Sequence, residues 1–136
     1  MMKHEPIAPS LTSRIRHTLD EMDRHRRHLE NALEYADGSH TFDDLVNMVM
    51  MGKLHLWSKS NSIILAEVLD YPQEKHYHMF VGGGDLDEIL AMHEEIESAA
   101  RQLGCTKLSV CGRRGWVRGL AGHGWKEQFT TVTKRL

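Results

Sequence analysis

The chain has 136 residues, enough for one domain with a real core. Hydrophobic residues make up 40% and charged residues 26%, an ordinary globular balance that excludes a disordered or low-complexity chain. A net charge of −2 provides no strong field toward nucleic acid or an anionic membrane, although 10 histidines can reverse its sign in mild acid.

Residues 1–9 carry two prolines and little periodicity, which predicts a flexible arm. Ser10 or Thr12 caps a helix in which Ile15, Leu19, Met22, Leu29 and Leu33 recur on one stripe. Its opposite face carries Asp23 to His28, and Asp37-Gly38-Ser39 ends it. Thr41-Phe42-Asp43-Asp44 has the pattern of a capping box and opens a second helix, closed by Gly52. Residues 10–52 thus form an N-terminal helical extension.

The period then changes to two. Leu54 to Ser58, Ile63 to Leu69 and His76 to Val81 predict three strands joined by tight turns, an antiparallel meander. Alternation puts Tyr77, Met79 and Val81 on one face. Asp85 and Glu88 have the spacing of a cap and its reciprocal acceptor for a long helix to Leu103, which Gly104 stops. That helix allows the next strand, Lys107 to Cys111, to run parallel to the third. A short helix follows over Arg113 to Leu120. Trp125 to Leu136 predict a last strand.

The stretch most informative about chemistry is Phe80-Val81-Gly82-Gly83-Gly84, followed at once by Asp85, Asp87 and Glu88. A strand entering a helix through glycines has the shape of a phosphate cradle. The three carboxylates have the wrong charge for one. The plain alternative is a tight connection in which a strand and a helix come close.

Glu67 lies in an otherwise apolar strand, where desolvation raises a carboxyl pKa toward that of a general base. The alternative is a carboxylate on the solvent face of the sheet. His76 and His78 share a strand face, but with no evident third ligand no metal site is assigned. His93-Glu94 begins like a zinc-protease helix, yet Glu97 stands where the second histidine belongs. Cys105 and Cys111 fit neither a zinc site nor a disulfide framework, and a reduced, cytoplasmic setting is expected. No apolar run approaches the roughly 20 residues that span a bilayer, and no secretion signal is expected from the N-terminus.

Two basic clusters are candidate partner surfaces. Arg24, Arg26 and Arg27 form a helical stripe together with Arg14, Arg16 and His17. Arg113, Arg114 and Arg118 flank Trp116, a mixture suited to phosphate, DNA or a carboxylate surface, although the overall charge argues against a general nucleic-acid binder.

The element order helix, helix, three strands, helix, strand, helix, strand, with Gly124-Trp125 after the last helix, resembles the GNAT acyltransferase fold. The resemblance covers roughly residues 41–136 and implies an α/β (α+β) domain with a mixed sheet. Within that fold the chain is similar to small bacteriophage GNAT-like proteins through Leu56-Trp57, Ala66-Glu67-Val68, Glu94-Glu95-Ile96-Glu97 and Gly112-Arg113-Arg114-Gly115-Trp116 with Arg118. This narrower likeness implies a non-enzymatic protein in the host cytoplasm or the virion. Its partners would be virion proteins or further copies of itself, and it would need no cofactor.

The broader likeness implies an N-acyltransferase that uses acetyl-CoA, with Glu67 as base. The pantetheine arm would lie at Met79 to Val81 and the pyrophosphate at Gly82 to Gly84, so that Phe80 to Gly84 bind the cofactor. The chain departs from the enzymes' pattern twice. No Arg or Gln opens the glycine stretch, and Leu120 stands where many of them carry a proton-donating tyrosine.

Overall fold

The computed structural model describes residues 10–136. The predicted arm at residues 1–9 lies outside them. Helices α1 (Leu11–Arg24) and α2 (Arg26–Leu33) are followed by a short 3-10 turn, Glu34–Ala36, and by α3 (Phe42–Met50). Strands β1 (His55–Lys59), β2 (Ser62–Asp70) and β3 (Lys75–Gly84) come next. Then follow α4 (Leu86–Ala91), α5 (His93–Gln102), β4 (Lys107–Val110) and α6 (Gly115–Leu120).

The predicted caps of α1 and α3 form, whereas at α4 Asp85 caps the helix but Glu88, its expected reciprocal acceptor, turns to Asn61 and leaves the Asp85 N–H to the Asn61 carbonyl. Ser10 accepts from the Ser13 N–H. At α3, the Thr41 hydroxyl accepts from the Asp44 N–H while Asp44 accepts from the Thr41 N–H, a reciprocal box. Two predicted single helices are each broken, and a histidine marks each break. At His25 the ring turns inward and its Nε2–H donates to the Lys59 carbonyl at 3.0 Å. At His93, Nδ1 sits 2.8 Å from the Ile89 carbonyl, the group that the next backbone N–H of a continuous helix would use.

The sheet order is β1-β2-β3-β4. The first three strands are antiparallel, and β4 runs parallel to β3 after the α4–α5 crossover, as the spacing predicts. Helices cover both faces. Ile64, Ala66, Tyr77 and Met79 pack with Ile89, Met92, Ile96 and Ala100 of α4 and α5. Ile63, Leu65 and Val81 pack with Met22, Leu29 and Leu45 of α1, α2 and α3. Of the predicted α1–α2 stripe, Met22 and Leu29 are fully buried, whereas Ile15 and Leu19 each remain 39% exposed.

Three expectations change. The pairing of β2 with β3 shifts register at Leu65/Ala66, so Phe80 is an extra residue in β3. That bulge moves Val81 to the face opposite Tyr77 and Met79. The glycines are not a loop: Gly82, Gly83 and Gly84 belong to β3 and lie opposite Ile64, Ile63 and Ser62. Finally, Trp125 to Leu136 form no strand, and residues 126–136 are exposed.

Candidate functional site

The site is built where β3 and β4 part company. Their parallel pairing begins at His76–Lys107 and ends at Met79–Val110. Beyond it the bulge at Phe80 redirects β3, while β4 gives way to Cys111 and Gly112. The two backbones therefore fork. A cleft of about 80 Å³ lies in the fork, between Phe80 to Gly84 on one arm and Cys111, Gly112, Arg113 and Trp116 on the other.

Helix α2 roofs the cleft, and the glycines permit its approach. A Cβ on Gly83 would stand 3.3 Å from the His28 Cβ. Gly84 has φ +113°, and a Cβ there would fall 2.1 Å from the Asn61 carbonyl oxygen. The plain reading of the glycine run, close approach of neighbouring elements, thus accounts for both residues.

The acids that follow are mostly engaged. Asp85 accepts from the Asp87 N–H at 2.9 Å, as a cap. Glu88 turns back to the β1–β2 hairpin and accepts from the Asn61 N–H at 2.8 and 3.1 Å and from the Ser62 hydroxyl at 3.2 Å. Asn61 also accepts from His28 Nε2–H at 3.0 Å and, through its carbonyl, from the Asp85 N–H at 2.9 Å.

Immediately below the fork, on the α1–α3 face, Glu67 stands opposite His78 in the β2–β3 register, and His78 stands opposite Ser109 in the β3–β4 register. Paired residues share a face. His78 Nδ1 is hydrogen-bonded to Ser109 Oγ at 2.8 Å. Burial lowers the His78 pKa below its ordinary value and raises that of Glu67. His40, whose ring meets Phe80 edge-on at 4.8 Å, pulls the Glu67 pKa back partway. His78 is thus held neutral beside a carboxyl of raised pKa, at the last residue pair but one before the fork.

The strand pattern singled out His78 only as half of a metal pair with His76, and it missed Ser109. The useful signal was its position two residues before the bulge, which only the pairing reveals. His76 donates to Glu74 at 2.8 Å, and this bond is the main cause of the lowered Glu74 pKa. Among the described residues no group of three or more His, Cys, Asp or Glu side chains is arranged to hold a metal ion.

The arginines divide. Arg24 donates to the Ser60 carbonyl at 2.5 Å, to the Lys59 carbonyl at 2.9 Å and to Glu21 at 2.7 and 3.2 Å, so it pins the hairpin. Arg26 pairs with Glu30 and lies 4.3 Å from the centre of the Phe42 ring. Arg27 is exposed. Arg113 lines the cleft and sits 5.6 Å from the centre of the Tyr35 ring, while Arg114 and Arg118 border a shallow surface depression with Val117 and Glu127. Leu120 is buried in the core. No helix among the described residues is long and apolar enough to cross a membrane.

No protein-family model matches the chain, and no curated protein matches it. Solved structures do. The wild-type protein TTHA1254 of Thermus thermophilus superposes with a TM-score of 0.57 at 13% identity, covering 86% of this chain and 91% of that one. A Trypanosoma brucei acetyltransferase gives 0.58 at 10% identity, covering 86% and 94%. An aminoglycoside acetyltransferase from an uncultured soil metagenomic sample, solved in complex with sisomicin, gives 0.57 at 13% identity, covering 88% and 91%. Two of these neighbours are acetyltransferases by name, and none of the three is named as a phage or virion protein. The mixed sheet, its single parallel pair and the helices on both faces give this chain the GNAT-like fold.

Proposed function

We propose that the protein is an N-acyltransferase that takes an acyl group from an acyl-CoA thioester and transfers it to an amine. The observation that carries this reading is the fork: β3 and β4 are parallel through Met79–Val110 and then diverge around the cleft. Diverging strands leave backbone N–H and C=O groups unpaired on both arms, as an amide-rich pantetheine chain requires.

The fit differs along the length of such a ligand. The pantetheine part suits the fork. The pyrophosphate does not suit the start of α4, where Asp85 is the cap and Asp87 adds charge. Arg113, which lines the cleft, and its neighbours Arg114 and Arg118 are the better anion partners. A bound acyl thioester supplies the activated carbonyl.

The neutral amine attacks the thioester carbonyl, and His78 takes its proton as the C–N bond forms. The C–S bond then breaks to release the CoA thiolate, to which the proton held on His78 or one from solvent passes. With Nδ1–H donating to Ser109 Oγ, Nε2 presents its lone pair, and the lowered pKa keeps the ring neutral at physiological pH. Glu67, the base expected from the sequence, stands beside His78 and favours, through its charge, the positive charge that develops on the attacking nitrogen as the C–N bond forms. Calorimetric titration with acetyl-CoA, together with thiol release against a panel of amines, tests the proposal. Absence of both binding and turnover overturns it.

A second reading has support from the acids at α4 and from the narrow 80 Å³ cleft: a binding protein that keeps the acyltransferase scaffold without its chemistry. Its association with a phage virion rests on the sequence resemblance alone. Titration separates the two readings, because only the first requires acyl-CoA binding.

A further inference from the structure

We infer that α1 is the interaction surface for a second copy of this chain, the two helices packing antiparallel about a twofold axis at Leu19. One apolar and one electrostatic observation carry this inference. The first is a stripe that runs on past the core. Leu11, Ile15 and Leu19 follow at intervals of four along one side of α1, and Met22 lies on the same side one turn later. Met22 is fully buried in the core under α1, α2 and α3, but Ile15 and Leu19 remain 39% exposed and Leu11 66%. Every residue from Ser10 to His17 is exposed. The N-terminal half of α1 thus stands clear of the domain with its apolar side in water, the mark of an interaction surface.

The second observation is the charge beside the stripe. Arg16, Asp20 and Asp23 follow at intervals of four and three along one flank of the apolar row. All three are exposed, and none forms an ion pair among the described residues, although Arg16 and Asp20 are one turn apart. Their neighbours Glu21, Arg24 and Arg26 are taken by ion pairs within α1 and α2. The flank is therefore basic toward its N-terminal end and acidic toward its C-terminal end.

Such a flank complements a second copy of itself only when reversed. In an antiparallel pair like flanks face each other, and in a parallel pair they do not. With Leu19 on the axis, Arg16 lies about 4.5 Å from it along the helix, and the second copy's Asp20 and Asp23 lie about 1.5 and 6 Å from it on the same side. Twofold symmetry gives both copies the same contact. Leu19 then packs on the second copy's Leu19 with Ile15 beside it, and the seam is continuous with the Met22 core of each copy. The inference is independent of the proposed activity.

The test uses the full chain. Sedimentation at micromolar concentration should give a dimer that loosens as salt rises. Leu19→Asp should give a monomer with unchanged helix content. Arg16→Glu, at an exposed position, should weaken the dimer about tenfold or more, and adding Asp20→Arg with Asp23→Arg should restore most of that loss. In a Cys111→Ser background, Leu19→Cys should link two copies on mild oxidation, and Ser13→Cys, on the far side of the helix, should not. A monomeric full chain overturns the inference, as does a dimer that survives both Leu19→Asp and Arg16→Glu. Failure of the double reversal to restore the Arg16→Glu dimer overturns it too, because the antiparallel charge pairing is then wrong.

Discussion

The Glu88 carboxylate closes on the backbone N–H of Asn61, at 2.8 and 3.1 Å, and so ties the first turn of α4 to the β1–β2 hairpin. An acid that the sequence places at an anion site is instead a structural acceptor. Glu88→Ala should therefore destabilise the fold by about 1–3 kcal/mol, the range for a hydrogen bond to a charged group. Urea denaturation measures this, and an unchanged midpoint would contradict it.

Asp87 has no such partner among the described side-chain hydrogen bonds; only its backbone N–H is used, by Asp85. Its charge is then free to oppose an anionic ligand. Asp87→Asn should tighten acetyl-CoA binding by about three- to tenfold at low salt, and less at high salt as screening grows. Titration at two ionic strengths checks both the sign and the salt dependence.

Gly84→Ala places a methyl group 2.1 Å from the Asn61 carbonyl oxygen at φ +113°. The expected loss is about 3 kcal/mol or more, since backbone rather than a flexible side chain must move. Gly122, at φ +82° with open space around it, is the control. Its alanine variant should lose only about 1–2 kcal/mol, from the left-handed backbone alone. Equal losses at the two positions would remove the steric explanation.

Acid should unfold the protein partly through Glu21. Its bond to Arg24 is the main cause that lowers its pKa from 4.5 to about 2, with Ser58 adding a 2.7 Å hydrogen bond. A lowered folded-state value means that the unfolded chain binds the proton more readily. The stabilisation is therefore present above pH 4.5 and is lost as pH falls toward about 2. With solvent screening allowed for, it amounts to about 1–2 kcal/mol. Buried His25, whose pKa is also lowered, acts in the same direction from its unfolded value of 6.5 downward. Glu21→Gln should flatten the lower part of the stability–pH curve and enlarge the His25 part, because the Glu21 carboxylate, 3.6 Å from His25, holds the His25 pKa up and its removal lets that pKa fall further.

His78→Gln should lower kcat by about 100-fold or more, the usual contribution of a positioned base. Glu67→Gln should lower it less. The acid limb of kcat/KM should lie below pH 6.5, because burial depresses the His78 pKa and the base must be neutral. Ser109→Ala should move that limb rather than abolish turnover. The reverse order of the two losses would return the role of base to Glu67.

The sequence by itself determined where helix and strand alternate as far as α6, but not the breaks at His25 and His93, and the strand it predicts over Trp125 to Leu136 does not form. Caps such as Thr41–Asp44, the change of period at Leu54 and the crossover-length helix before β4 are local signals, and each forms as its residues dictate. The apolar positions were legible for the same reason: Met22, Leu29, Ile64 and Ile96 are buried where periodicity places them. What the sequence could not determine depends on pairing across the chain. The bulge at Phe80 is a register shift, set jointly by β2 and β3, and it reverses the face of Val81. The glycines read as a loop because nothing local shows that Ser62, Ile63 and Ile64 lie beside them. Arg24 read as a surface cation because the two carbonyls it satisfies lie 35 and 36 residues away. The candidate site joins Glu67, His78 and Ser109 from three strands, so only the tertiary fold could bring them together. A side chain's type is local, but what it faces is decided by residues far along the chain, and function rests on the second.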